Sequence, residues 1–208
     1  MKMTYRLDEA SEIRGQTLVS ETITLPEHEC RGIVDCTLSN GTLRLAQTKG
    51  RPLIVRGTFE NCDVRAVSPQ RNYPLFKASF ISCRFNGVFS GCDFGRSHDV
   101  ERDGSFGAIA ACDFTHAVLD GCRFFNVDIS TLRLPMWPNI VLIGLLERAQ
   151  EVTTFAWPGE MGRFMRICAD QPASLAASVL HVPSFAGLVA CTEDQVRTAF
   201  EKFGGLMM

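Results

Sequence analysis

The sequence predicts a mainly β fold, a square β-solenoid followed by a C-terminal helical cap or tail, and three regularities predict it. First, Ile109, Phe114, Leu119, Phe124, Ile129 and Leu134 are six consecutive apolar positions spaced by five. Second, Gly107, Cys112, Ala117, Cys122, Val127 and Leu132 stand two residues before them, and most of these are small. Third, cysteine recurs in one local frame: Cys62-Asp63-Val64, Cys83-Arg84-Phe85, Cys92-Asp93-Phe94, Cys112-Asp113-Phe114 and Cys122-Arg123-Phe124, with Cys36-Thr37-Leu38 as a neutral variant.

A period of five fits neither a helix at 3.6 nor a strand at 2. It requires a chain that turns a corner every five residues, with one large and one small side chain per unit aimed at a common interior. Four such units close a square coil, and successive coils stack at the strand spacing of about 4.8 Å. Large residues fill the axis and Cys, Ala and Gly fit near the corners, where Cys behaves as a small hydrophobe. This accounts for 15 Phe against two Tyr and two Trp, and for much of the count of nine Cys.

At these residues the chain resembles the pentapeptide-repeat family, whose unit is a small residue, then Asp or Asn, then Leu or Phe, then two polar positions. Cys112-Asp113-Phe114-Thr115-His116 and Ala117-Val118-Leu119-Asp120-Gly121 fit that unit. The resemblance implies a right-handed quadrilateral parallel β-helix. It is strongest over 107–134, interrupted over 52–64 and 73–94, and weakest over 13–43. There Ile13, Leu18 and Ile23, then Ile33, Leu38 and Leu43, keep the period without the small partner throughout.

Three polar insertions break the phase, at 46–51, 66–72 and 95–104. Their Gly, Pro, Asn and Asp mark them as loops. The first two lie about one coil apart and are expected on the same side. Pro135-Met136-Trp137-Pro138 ends the repeat, because two prolines cannot supply the next coil's backbone donors. The chain therefore divides into a solenoid over 1–134 and a helical cap or tail over 135–208. Thr192-Glu193-Asp194-Gln195 is a capping-box pattern, with Val196, Ala199, Phe200 and Phe203 at helical spacing and Gly204 as the stop. Pro158 starts a second helix through Met161, Phe164, Met165 and Cys168. Pro172 starts a third, through Leu175, Val179 and Leu180. The tail is expected to cover the apolar end of the last coil, with a homodimer through the tail as the alternative to a monomer.

Charge and composition exclude several function classes. Lys and Arg number 21, Asp and Glu 23. Within 13–134 the count is 14 basic and 13 acidic residues. Neither a strongly cationic nucleic-acid binder nor a strongly anionic mimic of one is expected. The N-terminal stretch is polar, the longest apolar run is Ile140 to Leu146, and odd cysteines accompany no export signal. Cytoplasmic residence with reduced thiols and no membrane contact is the expectation.

The four histidines, His28, His98, His116 and His181, stand in no metal-ligand spacing, and no Cys-x-x-Cys pair occurs, so no metal or other cofactor is expected. Cysteines buried against Phe would be inert rather than nucleophilic. Asp63, Asp93, Asp113 and Asp128 read as a polar ladder at an outer or corner position, not an acid–base pair. Trp137 and Trp157 read as core anchors.

No enzyme chemistry is expected, and a scaffold that projects loops suits protein binding. An irregular, Phe- and Cys-rich pentapeptide solenoid ending in Trp-Pro and a helical tail resembles proteins encoded beside interbacterial toxins. The likeness is carried by 122–129 leading into 137–140. It implies an immunity protein with a cognate toxin as partner. The alternatives are a protector of DNA gyrase that mimics duplex DNA with an acidic column, as some family members do, and a scaffold for another partner. The residue after cysteine alternates in sign along the chain, which argues against such a column. The residues expected to touch the partner are the loop residues Arg51, Gln70, Arg71, Asn72, Tyr73, Arg96, His98, Asp99, Glu101 and Arg102, since Arg and Tyr dominate interface hot spots.

Overall fold

The computed structural model describes residues 3–6, 12–25, 32–46, 54–73, 75–96 and 107–204. Among the described residues, fifteen short strands wind the solenoid. The first coils use β1 (Thr4–Arg6), β2 (Glu12–Arg14), β3 (Thr17–Val19), β4 (Thr22–Leu25), β5 (Gly32–Ser39) and β6 (Thr42–Leu45). The middle coils use β7 (Ile54–Glu60), β8 (Asp63–Ala66), β9 (Gln70–Arg71), β10 (Ala78–Ile81), β11 (Arg84–Ser90) and β12 (Asp93–Gly95). The last uses β13 (Ile109–Ala110), β14 (Asp113–Asp120) and β15 (Cys122–Phe125).

All pairing among these strands is parallel, between each coil and the next. The apolar positions stack in columns. Ile13, Ile33 and Ile54 form one. Leu18, Leu38, Phe59, Phe80 and Ile109 form another. Tyr5, Ile23, Leu43, Val64 and Phe85 form a third. The weakly patterned N-terminal stretch therefore stacks in register with the regular coils. The third insertion lengthens one coil, so that Phe80 pairs with Ile109 and Phe94 with Phe124.

Phenylalanine concentrates where the coils are most regular. Phe85 stacks on Phe114 at 4.3 Å, Phe94 on Phe124 at 5.0 Å and Phe59 on Phe80 at 5.2 Å between centroids. Within a coil the rings meet edge to face, as Phe114 and Phe124 do at 5.4 Å. Both are favoured geometries for aromatic pairs.

The corners carry information that the period alone does not. The residue before each repeat cysteine is left-handed: Asp35, Asn61, Ser82, Gly91, Ala111 and Gly121 have φ between 52° and 63°. That twist swings the thiol inward and back along the axis. Each donates to a carbonyl of the preceding coil, as Cys62 does to Leu38, Cys83 to Phe59, Cys112 to Phe80 and Cys122 to Phe89, at 3.2–3.3 Å. The cysteines therefore join coils as well as filling corners. Cys122→Ala keeps the small volume but loses that bond, so a loss of about 1 kcal/mol is expected in a urea melt.

The tail covers the end of the solenoid, and its first layer is a sheet rather than a helix. β16 (Asn139–Ile143) and β17 (Leu175–His181) pair antiparallel, and β17 pairs antiparallel with β15. The reading of a helix starting at Pro172 is thus corrected: Leu175, Val179 and Leu180 lie on β17. The physical reason is burial on both sides. Val141, Ala177 and Val179 face the solenoid core, while Ile140, Leu142 and Leu180 face the helices. Such a strand reads as a continuous apolar run, which periodicity alone does not separate from a buried helix.

The helices are α1 (Ala149–Thr154), α2 (Met161–Ala169), α3 (Val182–Leu188) and α4 (Glu193–Phe203). The capping box of Thr192 and Gln195 is present, and Gly204 ends α4 at φ 70°. Arg148 ties the two ends of the cap together. Its guanidinium donates to the carbonyls of Phe203 and Gly204 and lies over the Phe203 ring at 4.0 Å. Trp157 is a core anchor, with Nε1 donating to Val152. Trp137 is not: it is 40% exposed, with Arg197 over its ring at 5.0 Å. No helix among the described residues is long and apolar enough to cross a membrane.

Candidate interaction surface

β6 and β8 end at one column. Leu45 pairs with Ala66, the amide of Ala46 bonds to Leu25 and that of Val67 to Leu45. Residues 47–53, with most of the first expected insertion, lie outside the described residues. The second, 66–72, does not project as a whole, which corrects that expectation: Gln70 and Arg71 form β9 on β11 and keep the chain in the coil.

The expected contact residues divide into three groups. Arg71 and Asn72 are exposed at a corner, Asn72 in the left-handed region at φ 50°. Arg96 is exposed but leaves from another sheet. Gln70 and Tyr73 are buried, and this corrects their placement on a binding loop. Gln70 occupies the column of Phe89 and Leu119, its Nε2 donating to Leu45 and Ser68. The Tyr73 hydroxyl accepts from the amide of Ile54 at 3.2 Å. Arg51, His98, Asp99, Glu101 and Arg102 lie outside the described residues.

The outer faces carry charge in rows, because coil stacking brings equivalent positions side by side. On the sheet of β4, β6, β8, β11 and β14, one row reads Thr22, Thr42, Asp63, Arg84, Asp113, Arg133. Its signs alternate. Arg84 reaches Asp63 at 3.1 Å and Arg133 reaches Asp113 at 3.1 Å. Elsewhere Arg123 holds Asp93 through two bonds of 2.8 Å, and Arg56 holds Asp35 at 2.8 Å. The expected aspartate ladder is thus split. Asp63 and Asp113 share a row, Asp93 lies in another sheet, and Asp128 caps the turn Ile129–Thr131 by accepting from Ser130.

Asp113 has a carboxyl held below the ordinary range. Partial burial raises it, but the Thr115 hydroxyl and amide, at 2.6 and 2.9 Å, and Arg133 together outweigh that. Because the folded value is depressed, the stabilisation is complete above the unfolded value of about 3.9 and is lost as pH falls through the folded one. Asp113→Asn should therefore lower the melting temperature at neutral pH and flatten its fall below about pH 4.

The six repeat thiols, Cys36, Cys62, Cys83, Cys92, Cys112 and Cys122, are buried. Burial and the neighbouring Cys92 push Cys122 up. Hydrogen bonding with Cys112, then burial, pushes Cys83 up to about 12, while Cys112 is lowered by the same bond. A fully buried thiol has no route to a substrate whichever way it shifts. Among the described residues, no three His, Cys, Asp or Glu side chains converge as metal ligands.

No protein-family model and no curated protein sequence matches the chain. A trypsin-treated structure of QnrB1, described as a plasmid-mediated fluoroquinolone resistance protein, aligns with 64% of this chain and 80% of that chain. The identity is 9% and the TM-score 0.27. A likeness at that level assigns this chain no partner and no activity.

Proposed function

We propose that the chain is a non-catalytic protein-binding module that binds and neutralises a bacterial toxin. The observation that supports the binding reading is the charged outer sheet, with Arg71 and Asn72 exposed at its corner and the row of Asp63, Arg84, Asp113 and Arg133 along it. Stacked coils present such a surface with little ordering cost, which favours a specific protein interface. The toxin as partner rests on the sequence likeness over 122–140. The gyrase-protection reading needs an uninterrupted acidic row. The outer row through the half-buried Asp63 and Asp113 instead inserts Arg84 between them and ends on Arg133.

The test is co-expression with candidate toxins of the native host. A purified complex and restored growth are expected. Arg71→Glu with Arg102→Glu should weaken binding by about thirtyfold, the scale of a hot spot, with an unchanged melt. Unchanged affinity in that double variant would remove the loops from the interface.

A further inference from the structure

The sheet of β4, β6, β8, β11 and β14 carries more guanidinium than the solenoid uses. Beside the alternating row runs a second: Thr24, Arg44, Arg65, Asn86 and His116, with Arg6 in register at its start. It contains no acid. Arg44 and Arg65 are partners on adjacent parallel strands, so the backbones of two like-charged residues stand one strand spacing apart, about 4.8 Å. Like charges directly opposite one another destabilise a sheet. Arg65 shares Asp63 with Arg84, at 3.3 and 3.1 Å, and Arg44 has no acidic partner among the described residues. Along these two rows Arg44, Arg65, Arg84 and Arg133 are all exposed, and the acids among the described residues are Asp63 and Asp113; Asp120, at the far end of β14, stands apart beside Ser90. The pairs Asp35–Arg56 and Asp93–Arg123, in contrast, match one to one.

We infer that this face docks an acidic protein surface, whose carboxylates complete the Arg44–Arg65 row and reach Arg84. The inference rests on the protein-binding reading and names the chemistry of its partner. A protein surface fits better than nucleic acid. Asp63 and Asp113 stand among the arginines and would repel a phosphate backbone, whereas a protein can set a donor against each. The Arg44–Arg65 juxtaposition weakens the fold unless an outside carboxylate relieves it, which separates a binding role from a structural one.

The full chain is tested at low salt with poly-L-glutamate and, separately, a DNA duplex as probes. Arg44→Glu sets a carboxylate beside Arg65, and Arg163→Glu on α2 is the charge-matched control. Arg44→Glu should raise the melting temperature by a few degrees and weaken poly-L-glutamate binding by about tenfold or more, with the control near wild type. Equal binding by Arg44→Glu and wild type, a lowered melting temperature, or DNA binding in place of poly-L-glutamate binding would overturn the inference. Full toxin neutralisation by Arg44→Glu would overturn it too, while leaving the binding module intact. A wild-type chain that neutralises no toxin but binds poly-L-glutamate through Arg44 would sink only the toxin reading.

Discussion

Phe114→Asp abolishes folding. Phe114 is fully buried, stacked on Phe85 and edge-on to Phe94 and Phe124 at 5.3 and 5.4 Å. Removing the ring alone costs about 3–5 kcal/mol. The carboxylate then has no partner, because the described core around it is Phe, Leu, Val and Cys. The combined loss is comparable to the total stability of a domain, about 5–15 kcal/mol. The expected result is aggregated protein without a cooperative melt. Phe114→Leu keeps most of the volume and should fold, less stable by about 1–2 kcal/mol. A soluble, cooperatively melting Phe114→Asp would mean that the register is wrong.

Truncation after Leu134 should cost nearly as much. It removes β16 and β17, and with them the pairing of β17 on β15 and the covering of the core by Val141, Ala177 and Val179. It also removes Asn139, whose Nδ2 donates to Leu119 at 2.7 Å inside the end of the last coil. The two valines at about 1.5–3 kcal/mol each and the alanine methyl at about 0.8 put the loss near 4–7 kcal/mol. The freed β15 edge is a template for association. Size-exclusion chromatography should show large species that grow with concentration. A monomeric, fully stable 1–134 fragment would show that the tail is an appendage and not a cap.

The solenoid was legible because its period is enforced at every turn. Each Phe, Leu and Ile of the run 109–134 is buried or packed on the core. The functions of the small positions were less so. That a thiol donates to the preceding coil depends on the left-handed residue before it, and no single residue type marks that corner. Gln70 and Tyr73 read as loop residues because a polar side chain stands where the column requires an apolar one. Gln70 can stand there because backbone carbonyls satisfy its amide nitrogen. Counting one coil of four five-residue units back from Phe89 reaches Pro69, so the period alone misses Gln70 by one residue. The charge rows were hidden for the same reason. Asp63, Arg84, Asp113 and Arg133 become neighbours only once the length of each coil, insertion included, is known. β16 and β17 were missed because burial on both faces erases alternation.

The most direct measurement is recovery of tagged chain from its native host, with the bound protein identified and assayed. The account predicts a toxin whose activity disappears when purified chain is added in equimolar amount. Recovery of DNA gyrase, or a toxin that stays fully active in the presence of the chain, would contradict it.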